Sequence, residues 1–490
     1  MISDKFRREL REQAKLWQAE GLIDTSFYQQ LSERYQFHTL ETASRNRFLS
    51  ILMSLGGILL GIGVITFVAA NWQVWSREVR VALLLSLFVA VNAAGFYLWR
   101  IPPSRSQNSN LNLPITIGRN KLLGEGLLLL GRAAFLSTPY PSRNKLLGEG
   151  LLLLGSLILG ANMALMAQMF HIGGSSYGLY LTWGIGVLGM AYSLRLTSLG
   201  VLSALLVGLG YWIAMLDWSS KVEFSWLEVL VRQMPIAASI MFVPLAYWCR
   251  SRAIFALGAI AIIFSLQVSI AQGLNQTWGT AIFCALPPAL LWGYDDAIWP
   301  KVRSKLFQPT ARSLALLFLA GLFYVLSFHG FWQDSPNPAP TGPDWVLLAN
   351  VVVLGGFTVF EWLRLGRLEL RRPKQKGVNL TTGAIGILIL ASALIPLFHL
   401  NFTPIPQLAT FLFNVLSFLL AVGLIREGLA LGNRQSFWGG MVLITLQIIS
   451  RVFEYNTGLL LKSFVFVLCG IGVIAAGLWF ERHFAKIPDE

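Results

Sequence analysis

LLGEGLLLLGSLILGANMALMAQMFHIGG, residues 146–174, is the stretch that decides the fold class of this chain. Its apolar run is long enough to cross about 30 Å of hydrocarbon as a single α-helix. It also carries Asn162, Gln168 and His171, polar side chains that lipid disfavours, and it ends at a Gly-Gly pair. A long apolar helix with a few polar groups is typical of a multi-pass membrane protein.

The composition places the whole chain in the same class. Hydrophobic residues make up 55% of the 490 residues and charged residues 13%, with a mean hydropathy of +0.61. This leaves too little polar surface for several globular domains, and apolar runs of about 18 or more residues recur along the chain. We predict an all-α fold, a polytopic transmembrane helical bundle of about 14 spans. The spans are expected near 47–70, 78–99, 146–170, 176–196, 198–216, 230–249, 253–274, 277–294, 312–331, 345–365, 379–399, 405–425, 436–455 and 457–480.

The first 46 residues differ from the rest because they are charged and amphipathic. Phe6, Leu10 and Trp17 fall on one helical stripe, and Asp24 or Thr25 is suited to cap a second helix. We predict a cytoplasmic helical hairpin over 1–46. It is too small to bury a core of its own, so it is expected to pack on the membrane, on the bundle or on a protein partner.

Four further segments follow this hairpin. We predict a first transmembrane pair over 47–99 and a cytoplasmic loop with a duplicated segment over 100–145. The main transmembrane helical bundle is expected over 146–482, with a cytoplasmic tail over 483–490.

The net charge of +14 has two explanations, nucleic-acid binding and membrane topology. With the N-terminus in the cytoplasm, the loops predicted to be cytoplasmic hold nearly all of the 38 Lys and Arg residues. The exceptions are Arg77, Arg80, Lys221, Arg232, Arg451 and Lys462. The positive-inside rule therefore favours cytoplasmic N- and C-termini, and we expect no nucleic-acid partner.

The segment RNKLLGEGLLLLG occurs twice, at 119–131 and at 143–155. Such identity indicates a short tandem duplication or a sequence-assembly artefact. In the first copy Arg132 ends the apolar run after about ten residues, which is too short to span. We predict that 119–142 lies on the cytoplasmic surface or forms a shallow interfacial helix.

Four stretches resemble those of one bacterial family. They are LWQAEGLID at 16–24, GGILLGIGVITFVAANW at 56–72, LGANMALMAQMFHIGG at 159–174 and RVFEYNTGLLLKSFVFVLCGIGVIAAGLWFER at 451–482. Through them the chain is similar to the family catalogued as domain of unknown function 2157. The resemblance implies a multi-pass protein of the bacterial inner membrane, or of an internal membrane, with a cytoplasmic N-terminal helical region. It implies no known activity.

Gln168 and His171 are the first candidate functional residues. Side chains three apart share one helix face, so the two can line a solute path at the outer end of their span. The alternative is an ordinary helix C-terminus, where an imidazole meets the terminal carbonyls before a glycine stop.

Arg451 and Glu454 are the second candidate pair. They lie near the predicted outer boundary, where the rest of the chain avoids cations, and at this spacing they can pair on one helix. Charge close to hydrocarbon is costly, so the pair indicates either a lock between helices or a binding site.

Three other features are open to functional interpretation. His171, His329 and His399 end outbound spans and are candidate zinc ligands, but their positions suit interfacial histidines, and we expect neither a metal nor a cofactor. Pro287-Pro288 falls inside a predicted span, where it either kinks the helix or frees carbonyls for a ligand. Asp295-Asp296 resembles the acidic pair of membrane transferases. No second acidic motif and no hydrolase, protease or nucleotide-binding motif accompanies it, so we expect no enzyme activity.

Together these features favour a small-solute or ion transporter, or a channel-like protein. The alternative is a non-catalytic membrane scaffold, assembly factor or sensor that acts through the N-terminal hairpin. The expected partners are the lipid bilayer and a protein at the hairpin, and the sequence does not identify the solute.

Overall fold

The computed structural model describes residues 75–100, 143–171, 175–216, 226–274, 276–296, 306–332, 345–371, 376–402, 404–454 and 458–484, together with Gly173 and scattered positions between 10 and 34. Every regular element in this part of the chain is helical. The chain divides into two compact units, Met1–Leu87 and Phe88–Glu490. The predicted span at 47–70 and the first copy of the duplicated segment lie outside the described residues.

In the first unit, helix α1 covers Thr25–Arg34. It begins where Asp24 and Thr25 predict a cap, and the Ser26 hydroxyl donates a hydrogen bond to the Asp24 carboxylate at 2.9 Å. This helix is the second arm of the predicted hairpin. Phe6, on the first arm, lies outside the described residues.

The remaining helices follow one another with short connections. They are α2 (Arg77–Arg100), α3 (Arg143–Met169), α4 (Ser176–Leu194), α5 (Thr197–Leu216), α6 (Trp226–Arg232), α7 (Met234–Cys249), α8 (Arg252–Gly273), α9 (Gln276–Gly293), α10 (Gln308–Leu326), α11 (Trp345–Arg371), α12 (Lys376–Asn401), α13 (Pro406–Leu431), α14 (Arg434–Glu454) and α15 (Leu459–Phe484). A single 3₁₀ turn, His329–Trp332, follows α10.

These helices confirm the predicted class, an all-α membrane protein. Among the described residues, nine helices are long and apolar enough to cross a membrane, namely α2, α3, α5, α8 and α10 to α14. Helices α6 and α7 are bent by 84° relative to each other and make a tenth if they form one span. The prediction of about 14 spans is roughly consistent with this count, since each predicted span from residue 78 onward coincides with a helix.

Three tight turns join helices into antiparallel hairpins. One residue in each turn adopts a left-handed backbone conformation. It is Arg195 between α4 and α5, Arg250 between α7 and α8, and Gly432 between α13 and α14. Glycine takes this conformation without strain, whereas an L side chain makes it unfavourable. The Arg195 guanidinium lies 4.2 Å from the ring centroid of Trp248, and this cation–π contact favours the strained turn.

The centre of the second unit is formed by α8 and α9. Helix α9 packs against α8, α10, α11 and α12, while α8 also packs against α5, α7 and α11. Close approach depends on small residues, since a β-carbon on Gly258 of α8 would lie 2.7 Å from Cβ of Phe242. Outward side chains of the apolar helices are well exposed, for example Leu317 of α10 at 69% and Ile240 of α7 at 68%, as expected for surfaces that contact the lipid bilayer.

Candidate solute-binding site

Arg451 and Glu454 form an ion pair on the last turn of α14. The Arg451 guanidinium also donates a hydrogen bond to the Ser327 carbonyl at 2.7 Å and lies 4.4 Å from the ring centroid of Phe328. Glu454 accepts a hydrogen bond from the backbone N–H of His329 at 2.6 Å. The pair therefore joins the end of α14 to the residues that follow α10, and its charges are partly buried.

A row of polar side chains runs from this pair into the bundle. The Gln447 amide donates to Asn414 and accepts from the Ser417 hydroxyl at 3.1 Å. Asn414 also donates to the Ser327 carbonyl at 3.2 Å, the same oxygen that Arg451 binds. We call Ser327, Asn414, Ser417, Gln447, Arg451 and Glu454 the polar seam.

Sequence reasoning identified only the charged end of the polar seam. Asn414 and Ser417 share one face of α13, and Gln447, Arg451 and Glu454 share one face of α14. Ser417 is eleven residues into α13, about 16 Å from its start at 1.5 Å per residue, so the seam reaches the middle of the helix. The signal that could have found it is the helical spacing of uncharged polar residues within apolar spans.

A cavity of about 440 Å³ opens beside the seam. It is large enough for a small-molecule ligand. Three of its lining residues are aromatic and two are polar, and the lining consists of Tyr324, Phe328, Leu446, Ile449, Ser450, Phe453 and Glu454. Glu454 therefore belongs both to the seam and to the cavity wall.

Gln168 and His171 lie at the end of α3, apart from the polar seam. Helix α3 ends at Met169, both side chains are exposed, and the His171 backbone N–H bonds the Gln168 carbonyl at 3.4 Å. His171 adopts a left-handed conformation with φ of 51°. Helix α3 packs against α4 and α5, whereas α14 packs against α13 and α15, so the structure does not bring the two candidate pairs together in one site. The geometry at His171 is that of a helix C-terminus.

His329 and His399, the other two histidines predicted at the outer ends of spans, have different surroundings. His399 accepts a hydrogen bond from the Ile405 N–H at 2.9 Å, and its ring packs edge-on against Trp332. At His329, the backbone N–H donates a hydrogen bond to the Glu454 carboxylate. No group of three His, Cys, Asp or Glu side chains with metal-binding geometry occurs among the described residues.

At the opposite end of the bundle, Asp296 caps α10 from outside that helix. Its carboxylate accepts hydrogen bonds from the backbone N–H groups of Phe307 and Gln308, at 2.9 and 3.1 Å, and from the Tyr247 hydroxyl at 2.5 Å. These donors and the helix dipole stabilise a buried negative charge. The carboxylate that resembled part of a transferase motif thus has three structural partners.

Helix α9 combines a central position with two consecutive prolines. Pro287 and Pro288 have no N–H, so the carbonyls four residues earlier, on Phe283 and Cys284, lack their usual intrahelical donors. Both residues line a second cavity of about 480 Å³ between α8, α9 and α10. The rest of this lining is almost entirely apolar, with Thr280 as its polar side chain.

A comparison with known families gives a match to the N-terminal part of the chain. Residues 15–200 match the family model described as "Predicted membrane protein (DUF2157)". The family resemblance is confirmed over this segment. The DUF2157 segment contains α2, α3, α4 and the candidates Gln168 and His171, whereas the polar seam lies beyond it. Searches of the curated proteins and of the solved structures gave no match.

Proposed function

We propose that this protein carries a small polar solute across its membrane, with Arg451 and Glu454 at the outer entrance. The observation that supports the proposal is the continuity of the polar seam with the 440 Å³ cavity. Polar and charged groups within an apolar bundle are unfavourable unless they pair with one another or face a water-filled path. Here Glu454 pairs with Arg451, and it also lines the cavity that we propose as the entrance.

The polar seam can exchange its internal hydrogen bonds for bonds to a solute. Arg451 has no hydrogen-bond partner for its Nε among the described residues, and the Asn414 and Gln447 amides supply both donors and acceptors. Glu454 adds a carboxylate to the cavity wall, although the side chains of the ion pair itself are only 17% and 15% exposed.

The central helix supports the same proposal. Transporters place binding sites at helices interrupted by proline or glycine, where free carbonyls meet a cavity. Helix α9 carries two prolines, and the residues whose carbonyls they free line the second cavity.

Solute entry into proteoliposomes tests the proposal. Vesicles holding the full chain are mixed rapidly with hyperosmotic glycerol, urea, choline chloride or sodium acetate, and re-swelling is followed by light scattering. We expect at least one solute to enter faster than into protein-free vesicles. Arg451→Met is expected to slow that entry about tenfold, the factor for about 1.4 kcal/mol in a rate.

Arg232→Met is the matched control. Arg232 also pairs with a glutamate one turn away, Glu228 at 3.0 Å, and it is also predicted to face outside. Its variant should keep the wild-type entry rate. Entry no faster than into protein-free vesicles for all four solutes, or equal rates for Arg451→Met and wild type, would contradict the proposal.

A membrane scaffold is the second candidate, and one observation favours it. Leu16 and Phe27 in the N-terminal unit are 53% and 50% exposed, which leaves apolar surface for a protein partner. If the scaffold proposal is right, Leu16→Asp combined with Phe27→Asp will remove a partner that co-purifies with the full chain in mild detergent. It will also leave solute entry unchanged.

A further inference from the structure

Glu361 is a carboxyl group buried where α11 packs on the end of α9. Only 2% of the residue is exposed. A β-carbon on Gly293, the last residue of α9, would lie 3.5 Å from Cβ of Glu361. The neighbouring Trp362 donates a hydrogen bond from its indole N–H to the Ala289 carbonyl at 2.9 Å, which holds the two helices in this register.

The carboxyl oxygens of Glu361 have no hydrogen-bond partner among the described residues. In the described part of the chain its cationic partner is Arg364, whose Nη1 lies 3.9 Å from Oε1. A charge-assisted hydrogen bond from a guanidinium is about 2.7–2.9 Å long, so this is an electrostatic contact without a hydrogen bond. The carboxyl end of this pair is buried, whereas Arg364 is 30% exposed.

The other groups that act on Glu361 come from the segment after α9. Asp295 and Tyr294 both interact with it electrostatically. The Tyr294 hydroxyl is 2.7 Å from the Tyr247 hydroxyl, which in turn donates to Asp296. Among the described residues, Arg364 on its own helix is therefore the cation that acts on Glu361, and Asp295 is a like charge.

We propose that Glu361 is a proton-binding site, and that it holds the coupling proton of the transport cycle. Burial without hydrogen-bond donors favours the neutral acid, Arg364 opposes this preference from 3.9 Å, and the Asp295 carboxylate adds to it. The coupling role rests on the proposed transport function, whereas protonation of Glu361 does not.

Infrared spectroscopy of the full-length protein at pH 7 tests the site directly. Exposed carboxyl groups titrate near about 4 and are ionised at this pH, so the carbonyl-stretch band of a carboxylic acid arises only from buried, protonated groups. We expect this band in the wild type and its loss in Glu361→Gln. Glu228→Gln, which alters a glutamate in an ion pair with Arg232, is the control and should retain the band. A band of unchanged intensity in Glu361→Gln overturns the proposal.

Arg364→Met provides a second test that keeps the carboxyl group in place. If Glu361 is already protonated, removing the cation leaves the band unchanged. A band that appears or grows in this variant would mean that Arg364 had held Glu361 ionised, and it would overturn the proposal even if Glu361→Gln did not fold.

Proteoliposomes with an internal pH-sensitive dye then test the coupling. With the solute that the wild type carries, Glu361→Gln is expected to abolish accompanying proton entry. If the wild type shows the infrared band but carries no solute, the coupling role fails together with the transport proposal and the proton site stands.

Discussion

The ring of Trp183 occupies the space where a β-carbon on Gly160 would stand. That carbon would lie 2.3 Å from Cε2 of Trp183, well inside van der Waals contact. The same indole donates its N–H to the Ser156 carbonyl at 2.8 Å, one turn earlier on α3. A large residue on α4 and a missing side chain on α3 thus fix these two helices of the DUF2157 segment against each other.

Gly160→Ala should destabilise the protein for this reason. The new methyl group cannot fit unless Trp183 moves and loses its hydrogen bond, and such overpacking costs about 1–3 kcal/mol. The measurement is the apparent Tm of the purified protein in detergent. Gly150→Ala on the same helix is the control, because its β-carbon would meet nothing within 4 Å. Equal Tm values for both variants would contradict the packing described here.

A second glycine pair tests the hairpin that carries the polar seam. A β-carbon on Gly440 of α14 would lie 2.6 Å from the Ala421 carbonyl oxygen of α13, whereas one on Gly439 would meet nothing within 4 Å. Gly440→Val is therefore expected to separate the helices, lower the Tm and slow solute entry about tenfold or more. Gly439→Val should change the Tm and the rate of solute entry much less. A functional Gly440→Val variant would show that the seam does not need this contact.

Removing the Asp296 cap should weaken the predicted cytoplasmic end of the bundle. Asp296→Ala leaves the N–H groups of Phe307 and Gln308 and the Tyr247 hydroxyl without this acceptor, at a cost of about 2–3 kcal/mol. Tyr247→Phe removes the hydroxyl contacts with Asp296 and Tyr294 but keeps both N–H bonds of the cap, and it should cost about 1 kcal/mol. The Tm of Asp296→Ala should therefore be the lowest, and that of Tyr247→Phe should lie between it and the wild type. Tyr97→Phe, at a tyrosine that is 69% exposed, provides the baseline. The reverse ranking would mean that the cap adds little.

The conformation of His171 predicts an unusual substitution pattern. Because its φ is 51°, His171→Gly should preserve or raise the Tm, whereas His171→Val should cost about 1 kcal/mol or more. Neither substitution should slow solute entry, since the side chain is exposed at the end of α3 and apart from the seam. Slower entry in His171→Gly would instead identify the imidazole as part of the solute path.

Cysteine labelling tests the predicted orientation. Trp345, which is 74% exposed at the start of α11, is predicted to face outside, and exposed Gln435 at the start of α14 is predicted to face the cytoplasm. After replacement of Cys249, Cys284 and Cys469, an impermeant maleimide applied to intact cells should label Trp345→Cys. It should label Gln435→Cys only after lysis. The opposite pattern would invert the topology and place the Arg451 cavity on the cytoplasmic side.

The candidate residues show where sequence reasoning about the site reached its limit. Cations are rare at the predicted outer boundary, so Arg451 and Glu454 could be chosen as candidates from the sequence. The uncharged residues Asn414, Ser417 and Gln447 are common enough in apolar helices that their spacing alone does not stand out. Asp296 shows the same limit, because a pair of acidic residues gives no indication of which backbone N–H groups will meet it in three dimensions.

The sequence by itself determined the class of the protein and the positions of its helices. The length of an apolar run is set by the thickness of the bilayer, so the apolar runs from residue 78 onward predicted the helices found in the structure. The match to the family model over residues 15–200 was also anticipated from local motifs. Which helices meet was decided only by tertiary structure, because lipid and protein interiors are equally apolar and hydrophobicity does not select a partner. That choice rests on local shape, as at Gly160 and Gly440, and on polar groups that must find one another, as at Arg451 and Ser327.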